Sequence, residues 1–92
     1  MTSVLCKILN GDTDASFRTV EIKSSENRSE FVQVPVSFLR EDDGEHYLAV
    51  AVVGQDRGKR VVLIQLPFEA DSGVNRLWVP ESSVLQDEEV LR

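Results

Sequence analysis

The only histidine of the chain lies in an acidic stretch, and this is the combination of residues in the sequence best suited to chemistry. His46 closely follows Asp42, Asp43 and Glu45. An imidazole beside a carboxylate can act as a general base, and the same groups together can bind a divalent cation. Consecutive residues of a hairpin point to opposite faces, however, so a solvated acidic turn is favoured and no metal site is predicted. A small-ligand or metal-binding domain with weak catalytic potential around His46 is the alternative.

The chain has one cysteine, Cys6, which excludes a disulfide within the chain and the usual zinc sites built from several cysteines and histidines. Cys6 lies in an apolar segment, where a thiol behaves as a small hydrophobic group. No Gly-x-Ser-x-Gly sequence marks a serine nucleophile. A Cys6 nucleophile activated by His46 is the remaining catalytic alternative. We predict no catalytic residue and no cofactor, and an enzyme is the less favoured function.

Basic and aromatic residues of the second half are the candidates for contact with a partner. The turn after Gly54 carries a cluster of positive charge, but a strand follows it instead of the helix that a phosphate-binding loop needs. Arg76 and Trp78 are two positions apart on a predicted strand and therefore share a face. Arg and Trp are typical of interface hot spots. For Trp78 alone, burial in the core is favoured. The predicted binding residues are Arg57, Lys59, Arg60, Phe68, Arg76 and Trp78.

The charge balance argues against two classes of partner. The 92 residues include 16 Asp and Glu against 10 Lys and Arg, a net charge of −6. Neither nucleic acid nor a membrane surface is expected as a partner, because both bind proteins largely through basic residues. The longest apolar run, Tyr47–Val53, is far shorter than the roughly 20 residues of a membrane-spanning helix. Without a basic leader and apolar stretch at the start, we expect a cytoplasmic interaction or accessory module that binds another protein or itself.

Six apolar segments separated by turn residues predict a single all-β domain. Gly, Asn, Asp and Ser between the segments supply positive φ or local hydrogen bonds, for example at Asp43-Gly44 and Asp56-Arg57-Gly58. Short strands with this spacing are typical of a barrel or a compact sandwich. The predicted strands are Val4–Leu9, Phe17–Lys23, Glu30–Val36, His46–Val53, Arg60–Leu66 and Val74–Val79.

The fourth segment is apolar on both of its predicted faces. Tyr47–Val53 lacks the alternation that a strand with one solvated face should show. Either other parts of the chain cover the second face, or a second copy does, which makes a homodimer one possible assembly.

Two Val-Pro steps indicate an internal duplication. Val34-Pro35 and Val79-Pro80 are each followed by a serine two positions after the proline, and they lie 45 residues apart. The same spacing places Ile8 on Val53. A duplication would give two three-stranded units, residues 1–45 and 46–92, that form a six-stranded, pseudo-duplicated barrel. The alternative is that two Val-Pro steps recur by chance in a Val-rich β domain.

The segment Trp78–Val84 resembles the final strand and 3₁₀ turn of SH3 domains. This resemblance implies an SH3-like barrel topology, with at most one short helical turn near residues 81–86. It does not imply binding of proline-rich peptides, because the chain has a single tyrosine, Tyr47, and lacks the aromatic groove that such binding needs.

Overall fold

Eight strands form one curled antiparallel sheet, a half-barrel, so the all-β prediction is confirmed. The computed structural model describes residues 2–9 and 15–86. In chain order the elements are β1 (Thr2–Ile8), β2 (Phe17–Lys23), β3 (Ser29–Pro35), the 3₁₀ turn η1 (Val36–Phe38), β4 (Leu39–Asp42), β5 (Glu45–Asp56), β6 (Val61–Gln65), β7 (Arg76–Pro80), the 3₁₀ turn η2 (Glu81–Ser83) and β8 (Val84–Gln86).

Six strands and at most one helical turn are predicted from the sequence, and both counts are too low for one local reason. Pro35 and Pro80 end long strands with φ values of −63° and −62°, and each is followed by a single 3₁₀ turn. Leu39 and Val84 then return to extended geometry and begin β4 and β8. These two strands have only four and three residues, too few for a periodic pattern to reveal.

β1 and β5 lie side by side at the centre of the sheet, whose order is β3-β2-β1-β5-β6-β7. Each of the two also pairs with a further short strand, β8 on β1 and β4 on β5. Val4 and Leu48 are partners in the central ladder, and both are fully buried on the inner face. The remaining core side chains come from the neighbouring strands and include Val20, Ile22, Val32, Val34, Ile64, Leu77 and Val79.

The ladders of the two halves repeat each other. β1 pairs with β2 through Lys7 and Glu21, and β5 pairs with β6 through Ala51 and Gln65, which lie 44 positions later on both strands. The turns η1 and η2 begin 45 positions apart. Four strands of each half therefore occupy equivalent places, and a pseudo-twofold axis passes between β1 and β5. The division into three-stranded units at residues 1–45 and 46–92 stays a prediction.

The predicted equivalence of Ile8 and Val53 is wrong by one residue. Ile8 pairs with Val20, and the corresponding pair in the second half is Val52 with Ile64. The register of β5 shifts between Val52 and Gly54, so Val53 is the extra residue of a β-bulge.

The two predicted hairpin turns differ in which residue takes the left-handed conformation. Asp43 and Gly44 both have positive φ, 58° and 84°, which confirms the turn predicted between β4 and β5. In the β5–β6 turn the positive φ, 57°, belongs to Arg60 and not to Gly58. This turn is longer than predicted and spans residues 57–60. The Lys59 N–H donates to Oδ1 of Asp56 at 3.1 Å, and the Arg60 N–H donates to the carbonyl of Arg57 at 3.3 Å.

The second apolar face of β5 is open to solvent along part of its length. Ala51 and the bulge residue Val53 are exposed, whereas Leu48 on the inner face is fully buried. Val52 lies on the inner face as the partner of buried Ile64, and it is nevertheless 45% exposed. Among the described residues, no helix is long and apolar enough to cross a membrane.

The central ladder should dominate the stability of the fold. Leu48→Ala is expected to lower the free energy of unfolding by about 2–5 kcal/mol, because it opens a cavity where the two halves meet. Val53→Ala, on the exposed bulge, should change it by no more than about 0.5 kcal/mol. Urea unfolding followed by circular dichroism measures both, and equal losses would contradict this placement of the core.

Candidate functional site

A gap in the sheet opens a cleft between β2 and β8. β8 pairs with β1 at Thr2–Val4 and β2 pairs with it at Lys7–Ile8, so Leu5 and Cys6 have ladder partners on β5 alone. The cleft at this gap has a volume of about 640 Å³, and η2 forms its far wall. Its lining includes Cys6, Lys7, Glu21, Lys23, Glu45 and His46.

The acidic hairpin is divided between two faces of the sheet. Glu41 is the partner of His46 across β4 and β5, and His46 is the partner of Cys6 across β5 and β1. These three residues form a row on the inner face, where directly opposed side chains have Cβ atoms about 5 Å apart. Asp42 and Glu45 are partners of each other and point to the opposite face. The structure thus brings His46 to Cys6 and Glu41, and not to the Asp42–Glu45 pair.

The thiol of Cys6 is not placed to act as a nucleophile. It is 8% exposed, and burial raises its pKa to about 12. At neutral pH the thiol therefore keeps its proton, whereas nucleophilic attack and metal binding both require the thiolate. Among the described residues, no group of three or more His, Cys, Asp and Glu side chains is arranged to hold a metal ion.

Trp78 lies on the outer surface, so the interpretation that favoured burial of this residue is wrong. It is 40% exposed, whereas its neighbours Leu77 and Val79 point into the core. Across the sheet, Gly54 pairs with Leu63 and Leu63 pairs with Trp78, so the three form one outer row. A Cβ atom on Gly54 would lie 3.2 Å from Leu63 Cβ and 3.8 Å from Trp78 Cη2. The absence of a side chain at Gly54 lets these two apolar groups lie close to the strand.

Basic residues lie on both sides of this row along the strand direction. Arg76 lies on the same face as Trp78, and its Nε donates to Oε1 of Gln65 at 3.2 Å. At the other end, the exposed Arg57, Lys59 and Arg60 occupy the β5–β6 turn. We call the outer-face residues Gly54, Leu63, Gln65, Arg76 and Trp78 the tryptophan face.

Phe68 is not part of the tryptophan face. Its ring makes an edge contact with the ring of Phe38, at a centroid distance of 5.3 Å and an interplanar angle of 71°. Phe38 in η1 packs against the core. Of the six predicted binding residues, the structure brings Arg76 and Trp78 together on the tryptophan face, places Arg57, Lys59 and Arg60 in the β5–β6 turn, and places Phe68 beside Phe38.

Lys7 and Lys23 line the cleft but are not among the residues predicted to bind. Both are single lysines on strands of mixed composition, and no local pattern distinguishes them. Their proximity to His46 results from the gap between β2 and β8, which is a property of the topology.

Cys6 should be unreactive in the folded protein. Alkylation by iodoacetamide at pH 8 is expected to be at least about a hundredfold slower than in the urea-unfolded chain, because burial raises the thiol pKa and blocks access. Rapid alkylation of the folded protein would contradict the burial of this thiol.

The same thiol should make stability depend on pH in the alkaline range. An unfolded thiol ionises near pH 8.5, about the ordinary value, whereas the folded one keeps its proton up to about pH 12. Because only the unfolded state loses a proton in this window, stability should fall as the pH rises through it. Cys6→Val, which introduces the residue found at the equivalent Val50, should lose this part of the dependence. Urea unfolding at several pH values measures it, and identical slopes would exclude the effect.

Comparisons with known proteins assign no family. No family model matches the chain, and no curated protein or solved structure matches it.

Proposed function

We propose that this chain is a protein-interaction module that binds an acidic segment of another protein through the tryptophan face. The observation that carries the proposal is the position of Trp78. Its exposed indole lies beside Leu63 in an apolar row, with basic residues on both sides along the strands. Burial of an aromatic side chain at an interface supplies a large apolar area with little loss of side-chain entropy.

The other half of the fold supports this interpretation. The pair equivalent to Leu63 and Trp78 is Thr19 and Gln33, on β2 and β3. The same position in the same sheet is therefore polar in one half and apolar in the other. The architecture does not require an apolar residue there, which leaves contact with another molecule as the better reason for the tryptophan.

The charges beside Trp78 are mixed, since Glu26, Arg28 and Glu30 line the same opening, whereas the β5–β6 turn is basic and favours an acidic partner. The chain has a net charge of −6, yet four of its ten basic residues are Arg76 and the three in the β5–β6 turn. Within the described ranges, no ion pair is seen for Arg57, Lys59 or Arg60. Uncompensated basic residues near an apolar anchor attract acidic segments and accelerate their association. The same basic residues would also attract a second copy of this acidic chain. Self-association is therefore the competing outcome.

A cytoplasmic location is part of this proposal. A chain with one cysteine, protonated and buried, needs no oxidising environment for its fold.

A random twelve-residue peptide library displayed on phage tests the proposal. Peptides enriched on the wild-type protein should carry an apolar anchor and a net negative charge, and their binding should weaken as the salt concentration rises. Trp78→Gln, which copies the equivalent Gln33, should weaken binding at least about tenfold, as expected for a hot-spot residue.

Two further variants make the test specific. The variant Arg57→Gln, Lys59→Gln, Arg60→Asn removes the charges of the turn, and asparagine tolerates the left-handed conformation at that position. It should lose acidic peptides selectively, whereas Gln33→Ala on the first half should bind them as the wild type does. Enrichment of basic or neutral peptides, or unchanged binding by Trp78→Gln, would overturn the proposal. A wild-type dimer that Trp78→Gln dissociates would replace it with self-association.

A further inference from the structure

An apolar stripe runs along the outer face of β5. Side chains alternate along a strand, and Leu48 points into the core, so the residues on either side of it point outward. On β1, the ladder partner of Tyr47 is Leu5, whose side chain is 37% exposed. The exposed bulge residue Val53 extends the row. We call the apolar outer-face residues of this strand the β5 stripe, namely Tyr47, Ala49, Ala51 and Val53.

The fold does not require this stripe. The residues equivalent to Tyr47 and Ala51 in the first half are Ser3 and Lys7, which lie 44 positions earlier on β1. A polar and a charged residue thus occupy the places that are apolar on β5. The stripe is a property of the second half alone, as expected for a surface that another molecule covers.

Opposite charges lie at the two ends of β5. The strand begins at an exposed acidic turn, which carries Asp42, Asp43 and Glu45. It ends at an exposed basic turn, which carries Arg57, Lys59 and Arg60. The two turns are placed symmetrically about Ala51, because Glu45 and Arg57 are each six positions away from it. The outermost charged residues, Asp42 and Arg60, are each nine positions away.

Neighbouring charges reduce this contrast without removing it. Around the acidic turn, Glu21 and Glu41 offset two of the three basic residues nearby, which are Lys7, Lys23 and Arg40. Beside the basic turn, two acidic residues form hydrogen bonds with its backbone, Asp56 and Glu81. With these groups included, the first end keeps an excess of negative charge and the second an excess of positive charge.

The shape of the sheet favours contact between two copies along this one strand. The sheet is curled with its core on the inner side, so the outer face is convex, and two convex faces meet along a line. Ala49 and Ala51 have small side chains, which lets two such faces approach to the roughly 10 Å typical of packed sheets. Contact along a single strand buries a small area, as is typical of transient complexes.

We infer that two copies of this chain form a dimer through their β5 stripes, which run antiparallel about a twofold axis at Ala51. The same surface of each copy forms the contact, so the acidic turn of each copy meets the basic turn of the other. A parallel arrangement is disfavoured because it would place like charges together at both ends. The dimer does not require Trp78 and therefore does not depend on the function proposed above. The two share only the basic turn, where an acidic peptide and the second copy compete.

Charge reversal at the two ends of β5 tests the inference, with sedimentation equilibrium of the whole chain at concentrations up to about 1 mM. The wild type should show a monomer–dimer equilibrium. The double variants Asp42→Lys, Glu45→Lys and Arg57→Glu, Lys59→Glu each place like charges together, so each should associate at least about tenfold more weakly. An equimolar mixture of the two should regain association, because every reversed turn then meets an opposite charge.

Two controls make this test specific, and the melting temperature of each variant checks that it is folded. The double variant Glu26→Lys, Asp71→Lys changes the net charge as much as reversal of the acidic turn does, but at exposed positions away from β5. It should associate as the wild type does. Trp78→Gln should also leave the dimer intact, which separates this contact from association through the tryptophan face. A monomeric wild type, unchanged association after either reversal, no recovery in the mixture, or loss of the dimer in either control would overturn the inference.

Discussion

The contact between Val4 and Leu48 is the constraint on which the rest of this structure depends. The two residues are ladder partners, and both are fully buried. Val4 occupies in the first half the position that Leu48 occupies in the second. The two strands lie 44 positions apart, and each also pairs with a short strand from the other half, β8 on β1 and β4 on β5. Such non-local pairing is slow to form, but it makes the two halves one cooperative unit and not two weakly attached ones.

Local structure could be predicted from the sequence far better than the surfaces could. Alternating Val and Ile predict β2, and Asp43-Gly44 predicts the turn before β5, because both signals lie within a few neighbouring residues. The bulge at Val53 and the outward position of Trp78 could not be predicted, since a period of two defines two faces but does not identify the buried one. The cleft was out of reach for a different reason: it exists because β2 and β8 share one edge of β1 and leave a step between them.

A nearly symmetric backbone carries two unlike surfaces. The ladders repeat at 44 or 45 positions, yet Thr19 and Gln33 replace Leu63 and Trp78 on the outer face, and Ala51 replaces Lys7 beside the gap. The inner faces stay alike because the core permits few substitutions, whereas exposed positions are free to differ. In a fold of this kind, the differences between equivalent positions separate what the architecture requires from what a ligand or partner would require. Each half therefore serves as the reference for the other.

The ladder between β1 and β8 places Thr2 directly beside Gln86. The first and last described residues of the sheet are therefore neighbours. The equivalent pair between β4 and β5 is Glu41 and His46, and there the Asp43-Gly44 turn joins the two strands. If Gln86 were joined to Thr2, the path of the chain through the eight described strands would be a closed loop with two equivalent points at which it could be opened. A circular permutant that linked Gln86 to Thr2 and opened at the Asp43-Gly44 turn would follow the same path through space, with the order of the two halves exchanged.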